Sequence, residues 1–228
     1  LGGDTIASVD AAALWARAVE LLVEPMLAAI DGQGIAGLNT DVELPLVRVL
    51  ARMEEGGVGV DVAELTRLRD HLTTECGRLR SAIHEAAGEE FNVNSTKQLR
   101  EVLFEKLGLT PGKKTKTGYS TDAATLERLR DDHPVVEHLL AYREVEKLRS
   151  TYGEGLLAEV GEGDRIRATF NQTVARTGRL SSDAPNLHNI PVRTEAGRAF
   201  RRAFVPAEGF TLLVADYNQI ELRCIAHL

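Results

Sequence analysis

Residues 61–88 read DVAELTRLRDHLTTECGRLRSAIHEAAG, and this stretch decides the fold class of the chain. Asp61, with Glu64 three residues later, is a capping-box pattern that predicts the start of a helix. Apolar residues then recur at every third or fourth position, as they do along one face of a helix, until Gly88 ends the pattern. These positions are Leu65, Leu68, Leu72, Cys76, Leu79, Ile83 and Ala86. The stretch therefore predicts a long amphipathic helix.

A second helical pattern begins at Pro134, a residue type favoured at the first position of a helix. Its apolar stripe consists of Val135, Leu139, Tyr142, Val145, Leu148, Tyr152 and Leu156. At 1.5 Å per residue, each of the two helices would span about 40 Å. We expect the two stripes to pack on each other as an antiparallel arm, with residues 89–133 at its far tip.

The predicted tip contains two short helices and a basic loop. Ser95 and Gln98 form another capping box, and residues 120–122 precede the second short helix. Between them, residues 111–118 (PGKKTKTG) are too polar and glycine-rich to pack, so we predict a mobile basic loop. Helix N-termini beside such a loop would suit phosphate groups. In the alternative interpretation, Ser95 and Thr121 only cap their helices.

The sequence on either side of the arm adds a helical element first and sheet elements later. Residues 14–30 predict a helix, residues 32–37 a loop, and a further element begins near Leu44. After Gly161 the pattern changes, since residues 165–170 alternate as strands do, and residues 171–174 alternate in the same way. Residues 210–215 form a short apolar run that predicts another strand. The fold class predicted for the chain is α+β.

Composition excludes some classes of protein. The 228 residues are 43% hydrophobic and 27% charged, which is ordinary for a globular protein. No apolar run approaches the roughly 20 residues that cross a bilayer, so we expect no membrane partner and a cytoplasmic location. The two cysteines, Cys76 and Cys224, are far apart and predict reduced thiols rather than a disulfide or zinc site.

Charge is distributed unevenly along the chain. The net charge is −7, but acidic residues are concentrated in residues 1–64. Arginines dominate residues 165–204, and three lysines lie within residues 113–116. These two basic regions could bind a polyanion such as nucleic acid. A solvated charged face is the alternative.

A candidate metal ligand follows the apolar run that ends at Ala215. Asp216 would lie at the exposed end of a strand, where its carboxylate could bind a hard cation such as Mg²⁺. In the alternative interpretation, Asp216 only initiates a turn. Glu221 also has a structural interpretation, because Asn218 and Glu221 form a capping box.

Three motifs resemble those of the bacterial family A DNA polymerases. Residues 216–223 (DYNQIELR) resemble motif A, although Ser is usual at Asn218. Residues 177–182 (TGRLSS) and 185–191 (PNLHNIP) resemble another palm signature, with His188 where Gln is typical. In the arm, residues 94–99 (NSTKQL) and 148–152 (LRSTY) are similar as well. The resemblance implies a helical thumb followed by the first strands of an antiparallel palm sheet.

The resemblance also implies an active site. The first Asp of motif A binds both catalytic Mg²⁺ ions in this family, which implies that role for Asp216, assisted by the backbone carbonyl of Tyr217. The reaction implied is two-metal phosphoryl transfer, which adds deoxynucleotides to the 3′ end of a primer. Glu221 is expected to occupy the place of a ribose 2′-hydroxyl, and Gln219 to contact the nucleotide. The implied partners are primer–template DNA and deoxynucleoside triphosphates.

The expected DNA contacts extend over the thumb and palm. Arg179 matches a residue that reaches into the minor groove, where acceptors common to all base pairs allow sequence-independent contact. A phosphate-only or structural role for Arg179 is the alternative. The other expected contacts are Asn186, His188, Asn189, Arg193, Lys147, Asn94, Ser95, Thr96, Lys97, Lys113, Lys114, Lys116 and Thr121. We expect the protein to act as a monomer.

The resemblance divides the chain into three regions. Residues 1–43 resemble the tail of a 3′–5′ exonuclease domain, residues 44–160 the thumb, and residues 161–228 the first part of the palm. Asp10 aligns with an exonuclease Asp, but Ile6 replaces the expected Tyr, so this domain should be vestigial. The second catalytic carboxylate and the fingers would lie beyond Leu228, so we expect this chain alone to be inactive. The alternative function is a non-catalytic module that holds DNA. A nuclease is disfavoured, because the sequence contains no cluster of acidic metal ligands.

Overall fold

The computed structural model describes residues 8–116, 118–192 and 194–228, except for the side chains of residues 8–10 and 115. The chain forms two compact units. The first contains the described residues up to Gly56 together with Phe170–Ser181, and the second contains Gly57–Thr169 and Ser182–Leu228. The three regions expected from the sequence remain a prediction.

The first unit is mainly helical. Its helices are α1 (Ser8–Gly32), α2 (Ala36–Leu38), a π-helical segment (Asn39–Glu43) and α3 (Leu44–Gly56). The predicted helix over residues 14–30 and the element at Leu44 are confirmed, but the predicted loop is shorter because α2 begins at Ala36. Within this unit the Phe170 N–H donates to Glu54 Oε1 at 2.6 Å, and Gln172 Nε2 donates to Glu43 Oε2 at 2.8 Å.

The remaining helices belong to the second unit. They are α4 (Val62–Ala87), α5 (Thr96–Arg100), α6 (Ala123–Arg128), α7 (Pro134–Leu148), α8 (Gly155–Ala158), α9 (Glu195–Arg202) and α10 (Ile220–His227). Glu101–Lys106 and Arg149–Glu154 are π-helical, and Leu187–Asn189 is a 3₁₀ turn. The strands of the chain are β1 (Val58–Val60), β2 (Lys114–Thr115), β3 (Gly118–Tyr119), β4 (Val160–Gly161), β5 (Arg165–Ile166), β6 (Thr169–Asn171), β7 (Ser181–Asp183) and β8 (Phe204–Val205).

The predicted arm is confirmed. Asp61 caps α4 by accepting a hydrogen bond from the Glu64 N–H at 2.9 Å, and Gly88 ends the helix in the left-handed conformation, with φ +76°. The C-terminal half of α4 packs against the start of α7, and its N-terminal half packs against the segment that follows α7. The two helices are therefore antiparallel, and their apolar stripes form the interface.

The second unit has two apolar cores, one at the tip of the arm and one at its base. The tip core contains Ile83, Leu103 and Leu139, all fully buried, together with residues of α5 and α6. In the base core, Leu65 and Phe200 connect α4 to α9 and to the sheet. Burial of such side chains is the main source of stability for this unit.

A four-stranded antiparallel sheet at the base has the order β4–β5–β1–β8. Val58 is opposite Ile166, and Gly59 is opposite Val205. Separately, β2 pairs with β3, and β6 pairs with β7. Helices combined with antiparallel sheets confirm the α+β class. The predicted strand over residues 165–170 is interrupted between β5 and β6, and the one over residues 171–174 ends at Asn171.

The predicted strand over residues 210–215 is wrong. These residues form no regular secondary structure and pair with no strand among the described residues, and Leu213 and Val214 are each 90% exposed. An apolar run forms a strand only when a neighbouring strand satisfies its backbone groups. The capping box expected from Asn218 and Glu221 is also wrong. The N-cap of α10 is Gln219, with φ +52° and no side-chain capping bond.

None of the helices formed by the described residues is long and apolar enough to span a membrane.

Candidate nucleic-acid interface

Three of the residues expected to contact DNA lie together in one cleft at the base of the arm. Lys147 is in the last turn of α7, whereas Asn186 is the N-cap and Asn189 the last residue of the 3₁₀ turn that precedes α9. Together they line a cleft of about 510 Å³, which also includes Thr151 and Tyr152. We name this feature the base cleft. An exposed ammonium and two exposed amides can donate hydrogen bonds to phosphate or base acceptors.

The segment that carries Asn186, His188 and Asn189 is well anchored. These three side chains are exposed, whereas Ile190 is buried in the base core and Leu187 packs against it. At the start of the segment, the fully buried Ser182 donates from Oγ to the Pro185 carbonyl at 2.9 Å and accepts from the Leu187 N–H at 3.4 Å. The alternation of buried and exposed residues therefore directs the polar side chains outward.

At the tip of the arm, Ser95 caps α5 by accepting a hydrogen bond from the Gln98 N–H at 3.4 Å. The return bond of a capping box is absent, because Gln98 Oε1 accepts instead from the Asn92 N–H at 2.6 Å. Asn94, Thr96 and Lys97 are exposed around this helix start. The capping role of Ser95 is confirmed, and DNA contact by these residues remains a prediction.

Thr121 does not cap a helix, and its contact with DNA remains a prediction. Asp122, rather than Thr121, caps α6 by accepting from the Thr125 N–H at 2.8 Å, and hydrogen bonds from Thr125 and Ser120 lower the pKa of its carboxyl. Thr121 is buried, and its carbonyl and hydroxyl oxygens both accept hydrogen bonds from Arg143. Thr121 is therefore part of the packing between α6 and α7, and little of its side chain is available to DNA.

The described residues of the basic segment at the tip pair as a short hairpin, whereas the sequence predicted a loop; the mobility of the segment stays a prediction. Lys114 pairs with Tyr119 across β2 and β3, and the Ser120 N–H donates to the Lys113 carbonyl at 2.9 Å. The Lys114 ammonium lies 5.9 Å from the Tyr119 ring centre, and Tyr119 meets Phe104 edge-on at 5.8 Å. Backbone pairing and aromatic contacts stabilise this hairpin, and composition alone does not indicate them. Lys113, Lys114 and Lys116 are exposed on this hairpin.

Of the two arginines expected to contact DNA, the structure describes one. Arg179 is exposed and belongs to the first unit, where it follows a turn at Gly178 with φ +78°. Arg193 lies outside the described residues, as does Ile6. The side chain of Asp10 also falls outside them, so the vestigial exonuclease remains a prediction.

The motif A residues are accessible. Asp216, Tyr217, Gln219 and Glu221 are all exposed, and Glu221 lies in the first turn of α10. Across the described part of the chain, no three His, Cys, Asp or Glu side chains converge on a potential metal site. The Asp216 carboxylate and the Tyr217 carbonyl are hard oxygen donors, and Mg²⁺ commonly takes only one or two carboxylates from a protein. Their chemistry therefore fits Mg²⁺.

Sequence reasoning selected Lys147 but missed its ionic neighbours. Arg149 binds Glu146 through two hydrogen bonds of 2.8 Å and lowers the pKa of that carboxyl. Cys76 donates from Sγ to the same carboxylate at 3.3 Å, and burial raises the pKa of the thiol to about 11. The spacing of Glu146 and Arg149 could have predicted their pairing. Their contact with Cys76 could not be predicted, because it joins two helices.

Known proteins match this chain closely. Residues 62–228 match the model of DNA polymerase family A. DNA polymerase I of Bacillus subtilis is 47% identical over 215 residues, which cover 93% of this chain and 24% of that relative. DNA polymerase I of Geobacillus stearothermophilus is 49% identical over 220 residues, covering 96% of this chain and 24% of that relative. The chain thus spans about a quarter of the length of these curated relatives.

A solved structure has the same fold. The POL domain of Pol1 from M. smegmatis, in complex with DNA primer-template and dNTP, superposes with a TM-score of 0.86 at 44% identity. The match covers 94% of this chain and 38% of that one. Fold and sequence thus agree on the same class of protein. The chain belongs to DNA polymerase family A.

Proposed function

We propose that this chain is the primer–template-holding thumb and first palm segment of a DNA-directed DNA polymerase. The observation that carries the proposal is the base cleft, where Lys147 and the two asparagines Asn186 and Asn189 converge from separate sequence motifs. Because the chain belongs to DNA polymerase family A, the proposal assigns all three residues to contact with the same DNA duplex. The M. smegmatis relative with primer-template and dNTP supports the same partners for this chain.

DNA is held in this proposal by contacts that do not depend on base sequence. The lysines of the tip hairpin neutralise phosphates, while Lys147, Asn186, His188 and Asn189 contact the duplex near the primer terminus. Arg179 and Arg193 add minor-groove and backbone contacts. The other tip contacts are Asn94, Ser95, Thr96, Lys97 and, through its backbone, Thr121. The protein acts as a monomer in the cytoplasm, associated with the nucleoid.

The chemistry is assigned to motif A. Asp216, with the Tyr217 carbonyl, would hold Mg²⁺, which when bound activates the primer hydroxyl and stabilises the charge of the transferring phosphoryl group. Gln219 and Glu221 would face the incoming nucleotide, with Glu221 excluding a ribose 2′-hydroxyl. Because Asp216 is exposed, its carboxylate is accessible to a metal–nucleotide complex.

The test is Mg²⁺-dependent primer extension by the full-length gene product, with wild type compared with Asp216→Ala. Loss of a metal ligand should lower extension by at least roughly a hundredfold, since metal stabilisation contributes several kcal/mol to such reactions. Glu208→Ala is the matched control, because Glu208 is an exposed carboxylate in the same segment. Its activity should equal that of wild type.

Duplex binding separates the two candidate functions. If Asp216→Ala binds primer–template normally but cannot extend it, the polymerase assignment holds. Normal extension by Asp216→Ala would show that Asp216 is only a turn residue. If wild type binds DNA but shows no extension under any condition, the chain belongs to a non-catalytic DNA-holding protein.

A further inference from the structure

The base cleft depends on a residue that is almost completely buried. Tyr152 is 4% exposed and lies in the π-helical segment that continues α7 beyond Lys147. Its ring packs against Phe200 of α9, with centroids 6.0 Å apart. Its hydroxyl donates a hydrogen bond to the backbone carbonyl of Asn189. Tyr152 therefore joins the end of the arm to the segment that carries the polar side chains of the cleft.

The carbonyl that Tyr152 binds belongs to Asn189, one of the residues that line the base cleft. Asn189 is the last residue of the 3₁₀ turn, is exposed, and lines the base cleft. One residue later the Ile190 carbonyl accepts a hydrogen bond from Arg201 of α9 at 3.3 Å. Two consecutive carbonyls thus accept hydrogen bonds from two different elements, the segment that continues α7 and α9. The peptide plane that directs the Asn189 side chain is fixed by these contacts.

We propose that Tyr152 is a positioning residue for primer–template binding: its hydroxyl orients the Leu187–Asn189 turn so that Asn186 and Asn189 face the DNA in register with Lys147. The inference rests on the proposed function and deepens it. Tyr152 does not itself touch DNA. Burial raises the pKa of its phenol, so the hydroxyl is protonated at neutral pH and can donate to the carbonyl.

Tyr152→Phe in the full-length gene product tests the inference, because it keeps the ring on Phe200 and removes only the hydroxyl. The Asn189 carbonyl then loses its partner and the turn gains freedom. We expect the Kd for primer–template to rise by about three- to tenfold. The KM for deoxynucleotide and the kcat at saturating DNA should stay within about twofold of wild type, because a positioning residue for DNA leaves the later steps intact.

A double-mutant cycle separates positioning from a general loss of stability. Asn189→Ala should weaken DNA binding, and adding Tyr152→Phe to it should raise the Kd by a smaller factor than in wild type, since part of the effect of the hydroxyl passes through Asn189. Cys76→Ala is the matched control, because it also removes a buried hydrogen bond but lies away from the turn. It should lower the melting temperature without changing the Kd.

Each outcome decides a different question. If wild type neither binds nor extends primer–template, the proposed function fails and this inference fails with it. If wild type is active and Tyr152→Phe binds DNA equally well, only the inference fails. It also fails if Cys76→Ala weakens binding as much, or if the two effects in the cycle are fully additive. If Tyr152→Phe does not fold, Ser182→Ala removes other hydrogen bonds that hold the same segment. An unchanged Kd for Ser182→Ala would then overturn the inference.

Discussion

Two glycines in helices of the second unit should respond to the same substitution with opposite sign. Gly197 lies in α9 and is buried against the segment that follows the 3₁₀ turn. A Cβ atom at this position would lie 2.4 Å from the Pro191 carbonyl oxygen and 2.6 Å from Pro191 Cβ. Gly77 lies in the middle of α4, where an added Cβ would have no heavy atom within 4 Å.

The expected magnitudes follow from these distances. At Gly77, replacement by Ala removes the helix penalty of glycine and should stabilise the protein by about 0.8–1 kcal/mol. At Gly197 the overlap is with backbone, which cannot rotate away, and overpacking of this kind costs about 1–3 kcal/mol. Part of that cost is offset by helix propensity. Since 2.4 Å is far inside contact distance, we take the upper part of that range, about 2–3 kcal/mol, and after an offset of about 1 kcal/mol we expect a net loss of about 1–2 kcal/mol for Gly197→Ala.

Urea unfolding followed by circular dichroism at 222 nm measures both changes, with thermal melting as a second probe. At about 2–4 °C per kcal/mol, Gly197→Ala should melt roughly 2–8 °C below wild type, and Gly77→Ala roughly 2–4 °C above it. Primer–template affinity should fall only for Gly197→Ala, because relief of the overlap must displace Pro191. If both variants are stabilised equally, α9 does not lie against residues 190–191 as described.

Three further predictions concern the arm. Because burial raises the thiol pKa of Cys76 from 9.0 to about 11, the folded state holds this proton more tightly than the unfolded state does. The contribution of this thiol to the free energy of unfolding is fully present below pH 9 and should decline toward pH 11 by at most roughly 2–3 kcal/mol. Urea titrations at both pH values measure the decline, and Cys76→Ala should lack this part of it. Asp61→Ala removes the cap of α4 and should cost about 1 kcal/mol in urea unfolding, whereas Asp61→Asn should cost little, and equal losses would contradict a capping role. Replacing Lys113, Lys114 and Lys116 by Gln should reduce the slope of log K against log salt by up to about 3 in anisotropy titrations with duplex DNA, and an unchanged slope would show that the hairpin does not contact phosphate.

Local signals made the arm predictable from sequence. Asp61, Gly88 and Pro134 act on the backbone within one helical turn, so their effects do not depend on distant residues. Packing the two helices on each other then buries both apolar stripes. The predicted ends of α4 agree with the observed ends for this reason.

The errors have a common origin in contacts between distant residues. Residues 210–215 have the composition of a strand, but composition cannot supply the neighbouring strand that hydrogen bonding requires. The hairpin of β2 and β3 shows the reverse error, because a loop was predicted where two strands pair. Tyr119 of this hairpin contacts Phe104, which the fold of the tip brings close to it. Thr121 is held by Arg143, which is 22 residues away in sequence. None of these partners is indicated by periodicity.

The candidate site was only partly predictable for the same reason. Lys147, Asn186 and Asn189 were selected by resemblance to a family, and their convergence in one cleft required the fold. The residues that hold them, Tyr152 and Ser182, were not assigned this role, because a buried hydroxyl in a sequence looks like any other core residue. Their importance follows from the specific carbonyls that they bind.

The π-helical segment after α7 explains how the arm and the base cleft are joined. Leu148, Tyr152 and Leu156 are each four residues apart, and all three are buried in the base core. In a regular helix of 3.6 residues per turn, each four-residue step turns about 40° past a full rotation, so three such residues drift around the helix. A wider π turn over Arg149–Glu154 reduces this drift and keeps them on one face.

Close packing on that face requires a small residue as well. At Gly153 an added Cβ would lie 3.3 Å from Cβ of Arg69, so the absence of a side chain lets this segment approach α4 closely. The segment is thereby fixed to the arm on one side, while Tyr152 binds the 3₁₀ turn on the other. Since α7 is continuous with this segment and α4 packs against it, a displacement of the arm would be transmitted to Asn189 through these helices and one hydrogen bond. DNA that binds to the arm would therefore encounter a base cleft whose polar groups are already aligned with it.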